Sequence, residues 1–273
     1  MRFAKGHGTQ NDFVILPDPD GRLDLAPGLV AALCDRHAGI GADGVLRVVR
    51  TKALGGALPD GAEEAEWFMD YRNADGSVAE MCGNGVRVFA RYLAQAGLVA
   101  APVFPVATRA GVRTVEMGAD GAITVDMGAA RVLGEGTAEI AGRPYRGLRV
   151  SVGNPHLACE VDGPIEALDL GRAPAVDPAV FPDGVNVELY RRDGADRLRM
   201  RVHERGSGET RSCGTGIVAV ARAAAHASGR EDGTWQVTVP GGELTVRLDG
   251  GRALLTGPAV VVAHGELDTA ALG

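Results

Sequence analysis

Lysine is almost missing from this chain of 273 residues: Lys5 and Lys52 stand against 26 arginines. A pyridoxal-phosphate enzyme needs a Schiff-base lysine, so that cofactor is a poor fit. Cysteine occurs four times, at 34, 82, 159 and 213, with no Cys-x-x-Cys pair. That spacing argues against a zinc knuckle or a thioredoxin-type site. No Walker-type phosphate loop, HExxH zinc motif or strand-linked GxGxxG occurs, so no cofactor and no metal are expected. No apolar run is long enough to span a bilayer, and MRFAKGHGTQNDF has no signal-peptide core, so the expected location is cytoplasmic, with no membrane partner. There, thiols stay reduced. The net charge of −7 argues against a nucleic-acid partner, which needs a basic face.

What is present is an internal repeat. Residues 69–91, MDYRNADGSVAEMCGNGVRVFAR, align without a gap on residues 200–222, MRVHERGSGETRSCGTGIVAVAR, at an offset of 131. Cys82 meets Cys213, Gly83 meets Gly214, Gly85 meets Gly216, and Ala90-Arg91 meets Ala221-Arg222. Asn11-Asp12-Phe13 and Gly153-Asn154-Pro155-His156 rhyme earlier in each half. The domains are therefore expected at 1–116, with a C-terminal return at 260–273, and at 117–259.

In each copy an alternating segment reads as a strand, a polar glycine-containing loop follows, and the residues after the cysteine read as a helix. Those helices should stop near Gly97 and at Gly229. Residues 27–37 read as one more helix opened by Pro27. Further strands are expected at 12–16, 44–50, 103–108, 112–117, 122–127, 146–152, 156–161, 185–190, 235–239, 243–248 and 258–263. The fold class is α+β: two pseudo-symmetric strand-rich domains, each curled around a central helix, with the active site expected in the cleft between them.

Each cysteine then sits at a helix start, where free N–H groups and the helix dipole favour a thiolate and bind carboxylates. Paired thiols on opposite faces of an α-carbon suit inversion of a stereocentre, one removing a proton and the other delivering one. N–H donors aimed at the substrate carboxylate stabilise the charge that spreads into it. A lone cysteine is usually a small buried hydrophobe. That reading fits Cys34 and Cys159, which have no counterpart in the other half, whereas the matched pair points to function.

MCGNG at 81–85, ERGSGETRSCGTG at 204–216, GNPH at 153–156 and NADGS at 73–77 resemble the diaminopimelate epimerase family over nearly the whole chain. The resemblance implies a cytoplasmic bacterial homodimer of lysine and cell-wall precursor synthesis that interconverts LL- and meso-diaminopimelate without cofactor. It makes Cys82 and Cys213 the base and acid, and His156 and Glu204 their polar partners. It assigns Asn11, Asn73, Asn154, Asn186 and Arg205 to the far end of the substrate, with Glu204 also at the substrate. Gly83, Asn84, Gly214 and Thr215 become the anion grips. Two departures stand out: Gly44 follows GIGAD where the family pattern has glutamine, and Gly8-Thr9-Gln10 replaces Gly-Leu-Gly.

Overall fold

The computed structural model describes residues 1–272. The chain forms β1 (Arg2–Gly8), β2 (Asn11–Pro17), α1 (Pro27–Cys34), β3 (Gly44–Arg50), β4 (Trp67–Asn73), α2 (Gly83–Gln95), β5 (Val103–Thr108), β6 (Gly111–Met117) and β7 (Ile123–Ala129). There follow β8 (Arg131–Ile140), β9 (Arg143–Ser151), β10 (Pro155–Glu160), β11 (Ala175–Val176), β12 (Asn186–Arg192), β13 (Arg197–Glu204), β14 (Gly208–Thr210), α3 (Gly214–Ala227), β15 (Gly233–Val239), β16 (Gly242–Asp249), β17 (Arg252–Gly257) and β18 (Val260–Glu266). Two compact units result: Met1–Val125 with the chain from Gly257 onward, and Asp126–Thr256.

The expected break after residue 116 moves to 125 because Val115, Glu116 and Met117 pair with Val125, Thr124 and Ile123. That hairpin holds the connecting segment with the first unit. Gly273, the last residue of the expected return, lies outside the described residues.

The two units repeat one strand plan. In the first, β2 is antiparallel to β1 and parallel to β3, β3 is antiparallel to β4, and β4 is parallel to β5. In the second, β10 is antiparallel to β9 and parallel to β12, β12 is antiparallel to β13, and β13 is parallel to β15. The registers match as well: Phe13 faces Gly44 as His156 faces Asn186. This equates Asn11 with Asn154 and Leu46 with Glu188.

Each unit wraps its sheet around one helix. α2 packs on β1, β2, β3, β4 and β18, and α3 packs on β8, β9, β10, β12, β13, β15 and β16. Val86, Val88, Phe89 and Leu93 of α2 are wholly buried, and each such side chain contributes about 1.5–3 kcal/mol. α3 reaches the same burial with Ile217, Val218, Val220 and a run of alanines, so its partners approach closely. Both helices end where a glycine takes left-handed backbone, Gly97 and Gly229 at φ +67°.

α1 stops at Cys34 rather than at residue 37, because the Asp35 carboxylate accepts the His37 and Ala38 N–H groups at 2.7 and 2.6 Å. That local turn competes with a further helical turn.

Candidate active site

Each cysteine caps its helix from extended backbone, Cys82 at φ −140° and Cys213 at φ −122°. Cys82 Sγ accepts the Gly85 N–H at 3.4 Å, which satisfies one free donor of the first turn. Asn11 Oδ1 lies 3.6 Å from Cys82 Sγ and accepts Asn84 Nδ2 at 3.2 Å. The amide is fixed from behind, since Asn11 Nδ2 donates to Asp43 Oδ2 at 2.7 Å and Arg36 donates to Asp43 Oδ1 at 2.8 Å. The turn that delivers Asn11 has Thr9 at φ +49° and Gln10 at φ +63°, a conformation that disfavours a β-branched residue. Arg87 Nη2 holds it by donating to Thr9 Oγ1 at 3.3 Å.

In the second unit a polar chain runs from the sulfur inward. Cys213 Sγ is 3.5 Å from Thr215 Oγ1, which accepts from Asn154 Nδ2 at 3.3 Å. Asn154 Oδ1 meets His156 Nε2 at 2.9 Å, and His156 Nδ1 meets Glu188 Oε1 at 2.6 Å. The His156 and Glu188 side chains are both wholly buried. Burial pushes the Glu188 carboxyl up, the proton on His156 opposes that, and Glu188 Oε2 meets no donor among the described residues. A net-neutral pair is what such burial favours, and it leaves Nε2–H pointing at Asn154.

The expectation that both thiols are acidified by their helix ends fails for Cys213. Burial holds its thiol well above the ordinary range, the negative charges of Glu204 and Glu188 add to this, and the Thr215 hydroxyl opposes it. Desolvation outweighs the helix dipole once a thiol is sealed from water. Burial likewise pushes Cys34 up to about 11 and Cys159 up to about 12, as inert core thiols require.

The remaining sequence-derived residues are placed as follows. Gly83, Asn84, Gly214 and Thr215 form the first turns of α2 and α3. Asn186 Oδ1 accepts the Arg205 backbone N–H at 2.9 Å, and its Nδ2 donates to the Pro155 carbonyl at 3.3 Å. Arg205 Nη1 donates to the Asp183 carbonyl at 2.7 Å. Glu204 accepts from the Thr210 hydroxyl. Asn73 donates to Ser77 Oγ at 3.0 Å and closes the local NADGS turn. At Gly44 a Cβ would meet the Arg72 carbonyl oxygen at 2.5 Å and the Tyr71 ring at 2.7 Å, so the place of the missing glutamine side chain is filled.

Glu188, Asp43 and Arg87 were not singled out from the sequence. The signal for Glu188 and Arg87 is a charge inside an apolar element, Val-Asn-Val-Glu-Leu-Tyr and Val-Arg-Val-Phe. Glu188 also explains Gly216, where a Cβ would sit 2.7 Å from Glu188 Oε1, whereas at Gly85 it would meet Leu46 Cδ2 at 3.3 Å. Gly216→Ala is therefore expected to destabilise by about 1–3 kcal/mol through overpacking, and Gly85→Ala by less. Thermal unfolding of the two variants checks the order.

The family model described as diaminopimelate epimerase matches residues 3–133 and 148–262. The diaminopimelate epimerase of Thermobifida fusca is 63% identical over 275 residues, which is 100% of both chains. That of Rhodococcus jostii is 57% identical over 98% of this chain and 97% of its own. Among solved structures, a Bacillus anthracis protein of the PhzF phenazine-biosynthesis family superposes with a TM-score of 0.69 at 16% identity, covering 98% of each chain. A hydroxyproline epimerase of Agrobacterium vitis gives 0.66 at 16% identity over 97% of this chain and 91% of that one, a likeness of fold alone. The chain belongs to the diaminopimelate epimerase family and is an amino-acid epimerase.

Proposed function

We propose that the chain interconverts LL- and meso-diaminopimelate by passing the α-proton through two cysteine sulfurs, Cys82 and Cys213, without a cofactor. The observation that carries this reading is one device built twice: a cysteine at the N-cap of a buried helix, with a glycine and the backbone N–H groups of the first turn directly after it. The N–H groups of Gly83, Asn84, Gly214 and Thr215 bind the substrate carboxylate and stabilise the charge that flows into it as the α-proton leaves. One sulfur takes that proton, the other supplies a proton to the opposite face, and the roles exchange with direction. The reaction requires both sulfurs to reach the same carbon.

His156 and Glu204 support the thiols, His156 by way of Asn154 and Thr215. Asn11, Asn73, Asn154, Asn186 and Arg205 hold the distal amino and carboxylate groups, with Glu204 also at the substrate. The enzyme works in the cytoplasm as a homodimer, in lysine and cell-wall precursor synthesis, as its family resemblance suggests. Among the described residues no helix is long and apolar enough to cross a membrane.

Purified protein incubated with LL-diaminopimelate and no added cofactor should yield the meso isomer, read by chiral separation. An LL sample that stays unchanged while the protein remains folded would overturn the assignment.

A further inference from the structure

Arg87 lies five residues beyond Cys82 and is 0% exposed. Its guanidinium folds back over the start of α2. Nη1 donates to the Gly83 carbonyl at 3.4 Å and Nη2 to Asn84 Oδ1 at 2.9 Å, the two residues directly after Cys82. Nη2 also donates to Thr9 Oγ1 at 3.3 Å, and Nε to the Pro258 carbonyl at 3.4 Å. All of these acceptors are neutral.

Most of the ionisable groups on the strands packed against α2 have other partners, Arg50 with Asp20 and Glu66 among them. Lys5 pairs with Asp12, Arg47 with Asp18 and Asp70, and Arg72 with Asp70. His7 accepts the Gln10 N–H, His264 lies against the Tyr92 ring, and Glu266 stands opposite Arg2 in the strand register. Among the described residues no carboxylate forms an ion pair with Arg87. A cation withdrawn from water without a counter-charge is strongly unfavourable. Burial pulls the Arg87 pKa down to about 10, and the charge of Cys82 pushes it back up.

The other unit shows that the fold does not demand this arginine. Its repeat counterpart, 131 residues on, is Val218, wholly buried in α3. The charges that act on Cys213 are those of Glu204 and Glu188, opposite in sign to Arg87.

We propose that Arg87 is the counter-charge of a Cys82 thiolate, a positioning residue that makes Cys82 the proton acceptor of the resting enzyme while Cys213 rests as the donor. The inference deepens the two-thiol reading given above and rests on it. One hydrogen bond suits the charge: Gly85 N–H donates to the sulfur. Asn11 Oδ1 accepts from the Cys82 thiol and loses that bond when the proton goes, while Asn84 Nδ2 still donates to it. Arg87 holds Asn84 Oδ1 and so turns that Nδ2 toward Asn11.

The test is the pH profile of iodoacetamide alkylation, with Cys82 and Cys213 peptides counted separately by mass spectrometry, in the ligand-free protein. Wild-type Cys82 should alkylate with a midpoint below that of Cys213. Arg87→Met should raise the Cys82 midpoint by about 1–3 pH units, leave Cys213 in place and lower kcat more than it changes KM. Arg87→Lys, which keeps the charge, should recover most of the Cys82 shift. Thiolate absorbance near neutral pH gives a reading that does not depend on the Arg87 variants folding: it should vanish in Cys82→Ser and persist in Cys213→Ser. Equal wild-type midpoints, or a Cys82 midpoint unmoved in Arg87→Met, would overturn the proposal. The alkylation and absorbance readings use no substrate, so a failure to turn over diaminopimelate would sink the functional assignment while leaving these results to stand or fall on their own.

Discussion

Alanine at either Cys82 or Cys213 is expected to abolish epimerisation of LL-diaminopimelate, a loss at or beyond the 10²–10⁴-fold that one positioned acid or base contributes. The size follows from the absence of a substitute. Asn11 lies against one sulfur and Thr215 against the other, and an amide and an aliphatic hydroxyl serve as neither acid nor base near neutral pH. The fold should survive both changes. Cys82→Ala loses one cap contact, worth about 1 kcal/mol, and Cys213→Ala removes a single sulfur from a well-packed helix start. Cys34→Ala is the control: its thiol is buried in the core with its pKa pushed up to about 11, and its removal should leave turnover unchanged. Steady-state rates with circular dichroism on the same samples check all three. Near-normal turnover in either Cys82→Ala or Cys213→Ala would remove that thiol from the mechanism.

DD-diaminopimelate is expected to be turned over orders of magnitude more slowly than the LL isomer, and Arg205→Lys to damage LL turnover although it keeps the charge. Both ends of the substrate carry the same groups, so the enzyme must hold one centre while it inverts the other. A guanidinium grips a carboxylate with two parallel bonds, and an ammonium does not reproduce that fork. The structure fixes this arginine at both ends: Asn186 Oδ1 accepts its backbone N–H and the Asp183 carbonyl accepts from Nη1. A distal centre of the wrong hand mispairs charged groups whose hydrogen bonds are worth roughly 1.5–3 kcal/mol each, and two such losses suppress turnover by orders of magnitude. Initial rates on the LL and DD isomers decide the point, and comparable rates would contradict the assignment of the distal site.

The cysteine-led helices were legible in the sequence because the repeat displayed the same grammar twice, from strand to glycine loop to helix. Five strands were not: β1, β8 and β17, and the short β11 and β14. β1 turns Ala4, Gly6 and Gly8 inward, and a Cβ at Gly6 would meet Val88 at 3.0 Å, so close packing against α2 removed the large apolar residues that announce a strand. β8 carries Gly134 and Gly136 on a largely exposed edge, and β17 buries only Ala253, Leu255 and Gly257. The ends of the polar chains escaped notice for a different reason. Glu188 and Arg87 lie inside apolar elements, and the roles of Glu188, Asp43 and Arg87 depend on partners far away in the chain: His156, Asn11 and Thr9. Linear spacing does not display such pairs. The expectation about thiol acidity erred at Cys213 because a helix end is visible in sequence and the depth of burial is not.

Solvent-isotope labelling tests the central claim most directly. LL-diaminopimelate is incubated with the enzyme in heavy water and sampled over the first few per cent of conversion, and deuterium at the α-carbon is measured in substrate and product by mass spectrometry. Two separate thiols predict early deuterium in the meso product and little in recovered LL substrate, because the proton removed and the proton delivered reside on different sulfurs. Equal early labelling of both isomers would show that one group handles both protons and would contradict the account.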